Sequence, residues 1–261
     1  MSPLPTAAEP APTGNWRLAL ATALALFVFT RVRSQFGWYV DLHRLLRDAG
    51  VPDSLRALDS SLLLVLTSVL AATIAARPRR PLVVLGLAAS APRGLVFALL
   101  AGLPMLLQGF FARTDVRFDL AIARGVVVAP LVEELFFRGA LVGIAVRCGG
   151  LPFWPTAIAT GVLFGSIHVP WDGSFHAGHL GVFAATTAGG IWYAWIWRCH
   201  GFNLWTTIFL HAAMNAAWTV FAVSGNAAGG LWPNVGRGLT IVVGTVLSLR
   251  ATRLLATPPA A

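Results

Sequence analysis

The chain has 261 residues, of which 57% are hydrophobic and 11% charged, whereas soluble domains carry about 25% charged residues. That composition excludes an ordinary soluble fold and points to a membrane protein. The net charge of +9 comes from arginine alone. These arginines sit mostly at the ends of apolar runs, where they anchor helices, and no basic stripe with interleaved aromatics marks a nucleic-acid partner.

Residues 1–15 are rich in Pro and Ala and are predicted to be disordered. Residues 16–30 form a first apolar span. Thr30-Arg31-Val32-Arg33 follows it where a signal peptide would show a small-residue cleavage site, so the span is retained. Residues 35–59 mix Arg44, Arg47 and Arg56 with Leu and Trp, as an interfacial segment does.

The second span covers 62–76 and stops at Arg77-Pro78-Arg79-Arg80. A short lead-in at 82–89 precedes the third, 95–111. Further spans follow at 118–148, 153–168, 181–197, 204–223 and 239–255. Trp16, Trp38, Trp154, Trp171, Trp205 and Trp232 fall at predicted span ends, as an interfacial aromatic belt requires. The expected fold is all-α: a polytopic bundle of about eight transmembrane helices, in one domain over 16–256, since runs near ~20 residues are helical rather than barrel strands. It is placed in the cell membrane as a multi-pass protein, and the arginine distribution leans towards both termini in the cytoplasm. Cys148 and Cys199 each follow a span and read as free thiols, matching neither a disulfide framework nor a C-x-x-C site.

Inside this apolar background the fourth span reads Glu133-Glu134-Leu-Phe-Phe-Arg138. Ionisable groups at that depth cost about 2.5–3.5 kcal/mol each, so they persist where they pair or work. Glu134 and Arg138 share a helix face in the favoured order for an ion pair. Glu133 points about 100° away, which leaves it to face a cavity. Pro130, which has no N–H, bends the helix just upstream and opens room there. The alternative is that both glutamates pair with arginines of other helices.

Span five ends Phe164-Gly-Ser-Ile-His168-Val-Pro170, and Pro170 stops the helix so that His168 sits on its last turn. Alone, His168 could equally be an interface anchor. Span seven carries His211 and Asn215 one turn apart, with small residues between them. By themselves they could form an interhelical hydrogen-bond pair. Three polar groups on three spans point to one shared pocket. His176-Ala-Gly-His179 has metal-ligand spacing in a loop, and His43 and His200 receive no role.

At these residues the chain resembles the CPBP family of intramembrane proteases, which includes CAAX prenyl endopeptidases and bacteriocin-processing or self-immunity relatives. The motifs are Glu133-Glu134 with Arg138, Phe164 with His168, and His211 with Asn215, within a core of about 85–217. The resemblance implies endopeptidase cleavage at the membrane, with a membrane-associated protein or peptide as substrate and the lipid bilayer as surroundings. Glu133 would be general base on a water, and His168 would help to hold it. His211 and Asn215 would donate to the oxyanion, with Glu134, Arg138 and Phe164 in support. No cofactor is favoured. Zinc on Glu133, His168 and His211 is the metal-dependent alternative, although no H-E-x-x-H is present to enforce it. The competing readings are a non-catalytic scaffold or immunity protein that keeps this fold, and a transporter using Glu133 and His168 as a proton relay. Internal repeats would favour the transporter, and none is found in the sequence.

Overall fold

The computed structural model describes residues 21, 22, 25, 44–52, 59–76, 80–112, 115–170, 176–222 and 230–256. The 1–15 tail, most of the first span, Arg77, Arg79, Trp16, Trp38, Trp171 and the 257–261 tail lie outside them. Among the described residues every regular element is helical. We number the main elements α1 (Asp59–Ala75), α2 (Pro81–Leu85), α3 (Ala91–Ala112), α4 (residues 120–148), α5 (Phe153–Ser166), α6 (Ala177–Cys199), α7 (Leu204–Thr219) and α8 (Leu231–Ala256).

Local chemistry sets the ends of these helices. Pro81 starts α2, and Gly86 closes it with φ +81°, a left-handed conformation that glycine adopts without strain. A Cβ on Gly86 would also stand 2.3 Å from the Phe202 carbonyl oxygen. Asp119 caps α4 by accepting the Ile122 N–H at 2.8 Å, and Asn203 caps α7 through the Trp205 N–H. The His176–His179 pair turns out to be a capping box: His176 Nδ1 accepts the Gly178 N–H and His179 Nδ1 accepts the His176 N–H, each at 3.1 Å. Both Nδ1 atoms are therefore committed to the start of α6.

Helix α3 packs along α7 and α8, α5 against α6, and α1 against the second half of α4. At one end of the bundle the Trp205 indole N–H donates to Leu87 O (3.1 Å) and Asn203 Nδ2 donates to Ser90 O (2.9 Å), fastening the start of α7 to the α2–α3 turn. Arg147 reaches back from α4 to the Val83 and Val84 carbonyls and lies over the Phe202 ring. Cys148 and Cys199 are free and buried.

The helices fall where the sequence places them, with one clear difference at α8. It begins at Leu231, well before the expected 239. Trp232-Pro-Asn-Val-Gly-Arg237 is too polar to read as a span, yet Pro233 costs nothing in a first turn and the helix continues through it. The expected count of about eight spans is not reproduced. Among the described residues one helix, Ala91–Phe111, is long and apolar enough to cross a membrane, and Ser61–Ala75 is a shorter apolar helix. Helix α4 is interrupted in its backbone register and carries charges, and the first span lies outside the described residues.

Apolar side chains fill the interior and also form rows on the outside, and a few polar groups are buried among them. Leu62, Leu66 and Leu70 on α1, Leu99, Leu103 and Leu107 on α3, and Val242, Val246 and Leu249 on α8 are exposed at helical spacing. Glu134, Arg138, Thr207, Thr240 and Ser248 are meanwhile buried.

Candidate active site

Helix α4 alternates between two hydrogen-bond registers. Residues Leu120–Ala123 and Ala129–Glu134 are α-helical, while Arg124–Val128, Leu135–Val142 and Ile144–Cys148 are π-helical. Ala129 N–H reaches back to Arg124 O, and Gly143 N–H to Arg138 O. Wide turns of this kind concentrate at functional sites because they redirect side chains without ending the helix. Here the irregular turns bracket the glutamates. The expected disturbance at Pro130 takes the form of a change of register rather than a break.

Glu134 is fully buried, and its Oε1 meets both Arg138 Nη1 at 3.1 Å and His211 Nδ1 at 2.9 Å. Arg138 is equally buried. Its Nη2 donates to Gly190 O at 3.2 Å, and its guanidinium carbon lies 4.7 Å from the Phe164 ring centroid and 5.3 Å from that of Tyr193. The Gly190 carbonyl comes this close because α5 and α6 cross on glycines: a Cβ on Gly190 would stand 3.1 Å from Gly161 Cα. A carboxylate can only accept, so His211 Nδ1 carries the hydrogen and the ring is fixed with Nε2 turned outwards. Glu133 is the less buried of the pair, and its Oε2 stands 4.0 Å from that Nε2. His211 is thus flanked by both glutamates, with Glu134 bonded to it and Glu133 beside it.

His168 is set by the way α5 ends. Its backbone N–H goes to Gly165 O at 3.1 Å, which leaves the Phe164 carbonyl to accept from the imidazole Nδ1 at 2.7 Å. The ring lies 4.6 Å from the Phe164 ring, and Nε2 is left as an acceptor. Phe164 therefore serves two neighbours, stacking on Arg138 and orienting His168.

His168, His211 and Asn215 open on one cavity of about 720 Å³, within the range typical of small-molecule and peptide sites. Its walls are mainly apolar, from Met105, Trp192, Met214 and Trp218, with Gly181, Ala185 and Gly189 forming a small-residue side on α6. Glu133 was expected to face a cavity, but it is not among the lining residues and approaches the space beside His211. Asn215 lines the cavity, yet its Nδ2 donates to Gly125 O on α4 at 2.9 Å.

The sequence pattern missed Tyr193, Gly190 and Arg237. Tyr193 is one of only two tyrosines, and its hydroxyl donates to Met214 Sδ at 3.0 Å while its ring lies 5.4 Å from His211. A phenol within an apolar span was the available signal. Arg237 lines the far end of the cavity, with Nη1 on Asn234 Oδ1 at 3.0 Å and its guanidinium 4.1 Å from the Trp218 ring centroid. Among the described residues no three His, Cys, Asp or Glu side chains form a group that could hold a metal ion.

Residues 116–217 match the family model of the type II CAAX prenyl endopeptidases, Rce1-like. That stretch is similar to the Rce1-like family. It runs from just before α4 to the end of the His211–Asn215 motif, and so contains Glu133, Glu134, Arg138, Phe164, His168, His211 and Asn215. The match is consistent with the CPBP resemblance carried by those same residues, and the family suggests a CAAX-type endopeptidase. Helices α1, α2, α3 and α8 lie outside the matched stretch. No curated protein and no solved structure matches the chain.

Proposed function

We propose that the chain is a multi-pass intramembrane endopeptidase that hydrolyses a peptide bond with a water activated by Glu133. The observation that carries this reading is the placement of His211, bonded to buried Glu134 at 2.9 Å, 4.0 Å from Glu133, and on the wall of the cavity that His168 also lines. Glu133 takes a proton from water as its oxygen attacks the carbonyl carbon. It passes that proton to the leaving amine nitrogen as the C–N bond breaks. His168 Nε2 accepts from the same water. His211 presents Nε2 towards the developing oxyanion, as a donor when the ring carries its second proton, with the Glu134 carboxylate as counter-charge. Glu134 and Arg138 fix that ring.

The exposed Leu and Val rows on α1, α3 and α8 support a lipid-facing exterior, since contiguous apolar surface of this kind is rare on soluble monomers. The substrate on this reading is the tail or leader of a membrane-associated protein. Arg237 suits an anionic group on it, such as a terminal carboxylate. No metal takes part in the step. The test uses the purified full chain in lipid nanodiscs with an internally quenched peptide carrying a prenylated cysteine near its C-terminus. Native protein cleaves it with or without a chelator, and Glu133→Gln does not. Cleavage by Glu133→Gln would remove the proposed base, and loss of activity on chelation would move the mechanism to zinc. A folded native protein that leaves such peptides uncut would favour the scaffold reading.

A further inference from the structure

The Asn215–Gly125 hydrogen bond has a specific cause in the backbone of α4. In the π-helical turn the Ala129 amide is drawn back to Arg124 O. The next amide in that register would belong to residue 130 and would reach Gly125 O. Residue 130 is proline and has no N–H. Gly125 O is therefore left without its helical donor, in a stretch of α4 that is only partly buried. Asn215 Nδ2 fills that place at 2.9 Å from the opposite helix.

The consequence reaches the chemistry because of where the bond falls. Helices α4 and α7 are tied at two levels, Gly125 with Asn215 and Glu134 with both His211 and Thr207. The chains run in opposite senses between these ties, and Glu133 lies next to the second of them. One tie alone would let α4 rotate or slide against α7. With both, α4 is held against α7 by a hydrogen bond to its backbone at one level and by bonds between side chains at the other, on either side of Glu133's turn.

We infer that Asn215 is a positioning residue: it takes the carbonyl that Pro130 releases, and so fixes the register of the glutamate helix against the histidine helix. Pro130 and Asn215 act as a pair, and neither needs to touch the reacting atoms. A direct oxyanion donor would behave differently, because its contribution would not depend on what residue 130 is.

Four proteins test this: native, Asn215→Ala, Pro130→Ala and the double variant, each the full chain in lipid nanodiscs. Alanine at 130 restores an N–H for the orphaned carbonyl. The first readout is hydrogen–deuterium exchange of the 124–134 amides without substrate, which is independent of the peptidase reading. Asn215→Ala is expected to speed exchange there when Pro130 is present, and to leave it unchanged when residue 130 is alanine. The second readout, which rests on the proposed endopeptidase activity, is turnover of the quenched prenylated peptide. Asn215→Ala should lower kcat roughly 10- to 100-fold with KM unchanged, the scale on which small misplacements act. In the Pro130→Ala background the same change should cost less than about 3-fold. Equal losses of kcat in both backgrounds would overturn the inference and make Asn215 a direct donor. Unchanged exchange in Asn215→Ala would overturn it even if the peptide is never cut.

Discussion

Helices α3 and α4 occupy the same bundle and solve the same problem in opposite ways. Helix α3 is apolar apart from Arg93 near its start and Gln108 near its end, runs continuously through Pro104, and leaves Leu99, Leu103 and Leu107 on the outside. Its inner side is shaped for contact: a Cβ on Gly94 would stand 2.6 Å from the Trp205 carbonyl carbon. Helix α4 carries two carboxylates and a guanidinium, shifts register repeatedly, and needs partners from α5, α6 and α7 for its polar groups. The comparison separates what holds an apolar helix in place from what makes one chemical. Helix α3 depends mainly on shape, with a single outside bond from the Met105 N–H to Thr240 Oγ1 at 3.2 Å, whereas α4 depends on buried charge as well as on a backbone carbonyl satisfied from outside.

Substitutions can break that contrast. Arg138→Leu should have the largest effect, because it leaves Glu134 charged, buried and without its cation. Removing one member of a buried pair costs about 3–5 kcal/mol, so thermal unfolding in nanodiscs should show a large loss. The Glu134→Leu/Arg138→Leu double variant should regain much of that stability without regaining activity. If the single change is tolerated as well as the double, the pair is not the anchor described here.

His211→Ala comes next, with a predicted kcat loss of about 10²–10³-fold, the usual result of deleting an oxyanion donor. A loss confined to KM would reassign His211 to substrate binding. Gly94→Ala should then cost about 1–3 kcal/mol by overpacking the α3–α7 contact, visible as a lower unfolding midpoint with kcat preserved in the folded fraction. A neutral outcome would mean that the two backbones separate easily. Leu103→Ala, on the outer face of α3, should change stability by no more than about 0.5 kcal/mol. A loss comparable to Gly94→Ala would place Leu103 against protein rather than lipid.

Much of this arrangement could be read directly from the chain. The limits of α5 follow from Pro152 before it and Pro170 after it, and the Glu134–Arg138 pair follows from helical spacing alone. The expected pocket shared by spans four, five and seven is seen in part: His168, His211 and Asn215, from spans five and seven, line one cavity, and Glu133 of span four does not. The register of α4 could not be read this way. A few π-turns barely alter hydrophobic periodicity, and their cost is met by Asn215, which lies far along the chain from Gly125. The position of Glu133 was also only half visible. A helical wheel gives its angle from Glu134, but not that it would come to lie 4.0 Å from His211 beside the cavity instead of on its wall. The start of α8 was hidden because Asn234 and Arg237 look like loop residues until the cavity is seen to need them as a wall.

The most direct test of the central claim is a comparison of protein termini in cells expressing the native chain or Glu133→Gln at equal membrane levels. The account predicts a set of new termini on membrane-associated proteins that appears with the native chain and disappears with the variant. Identical termini in the two cell populations, with candidate substrates present, would contradict it and leave Glu133 and Glu134 as structural charges in a non-catalytic membrane protein.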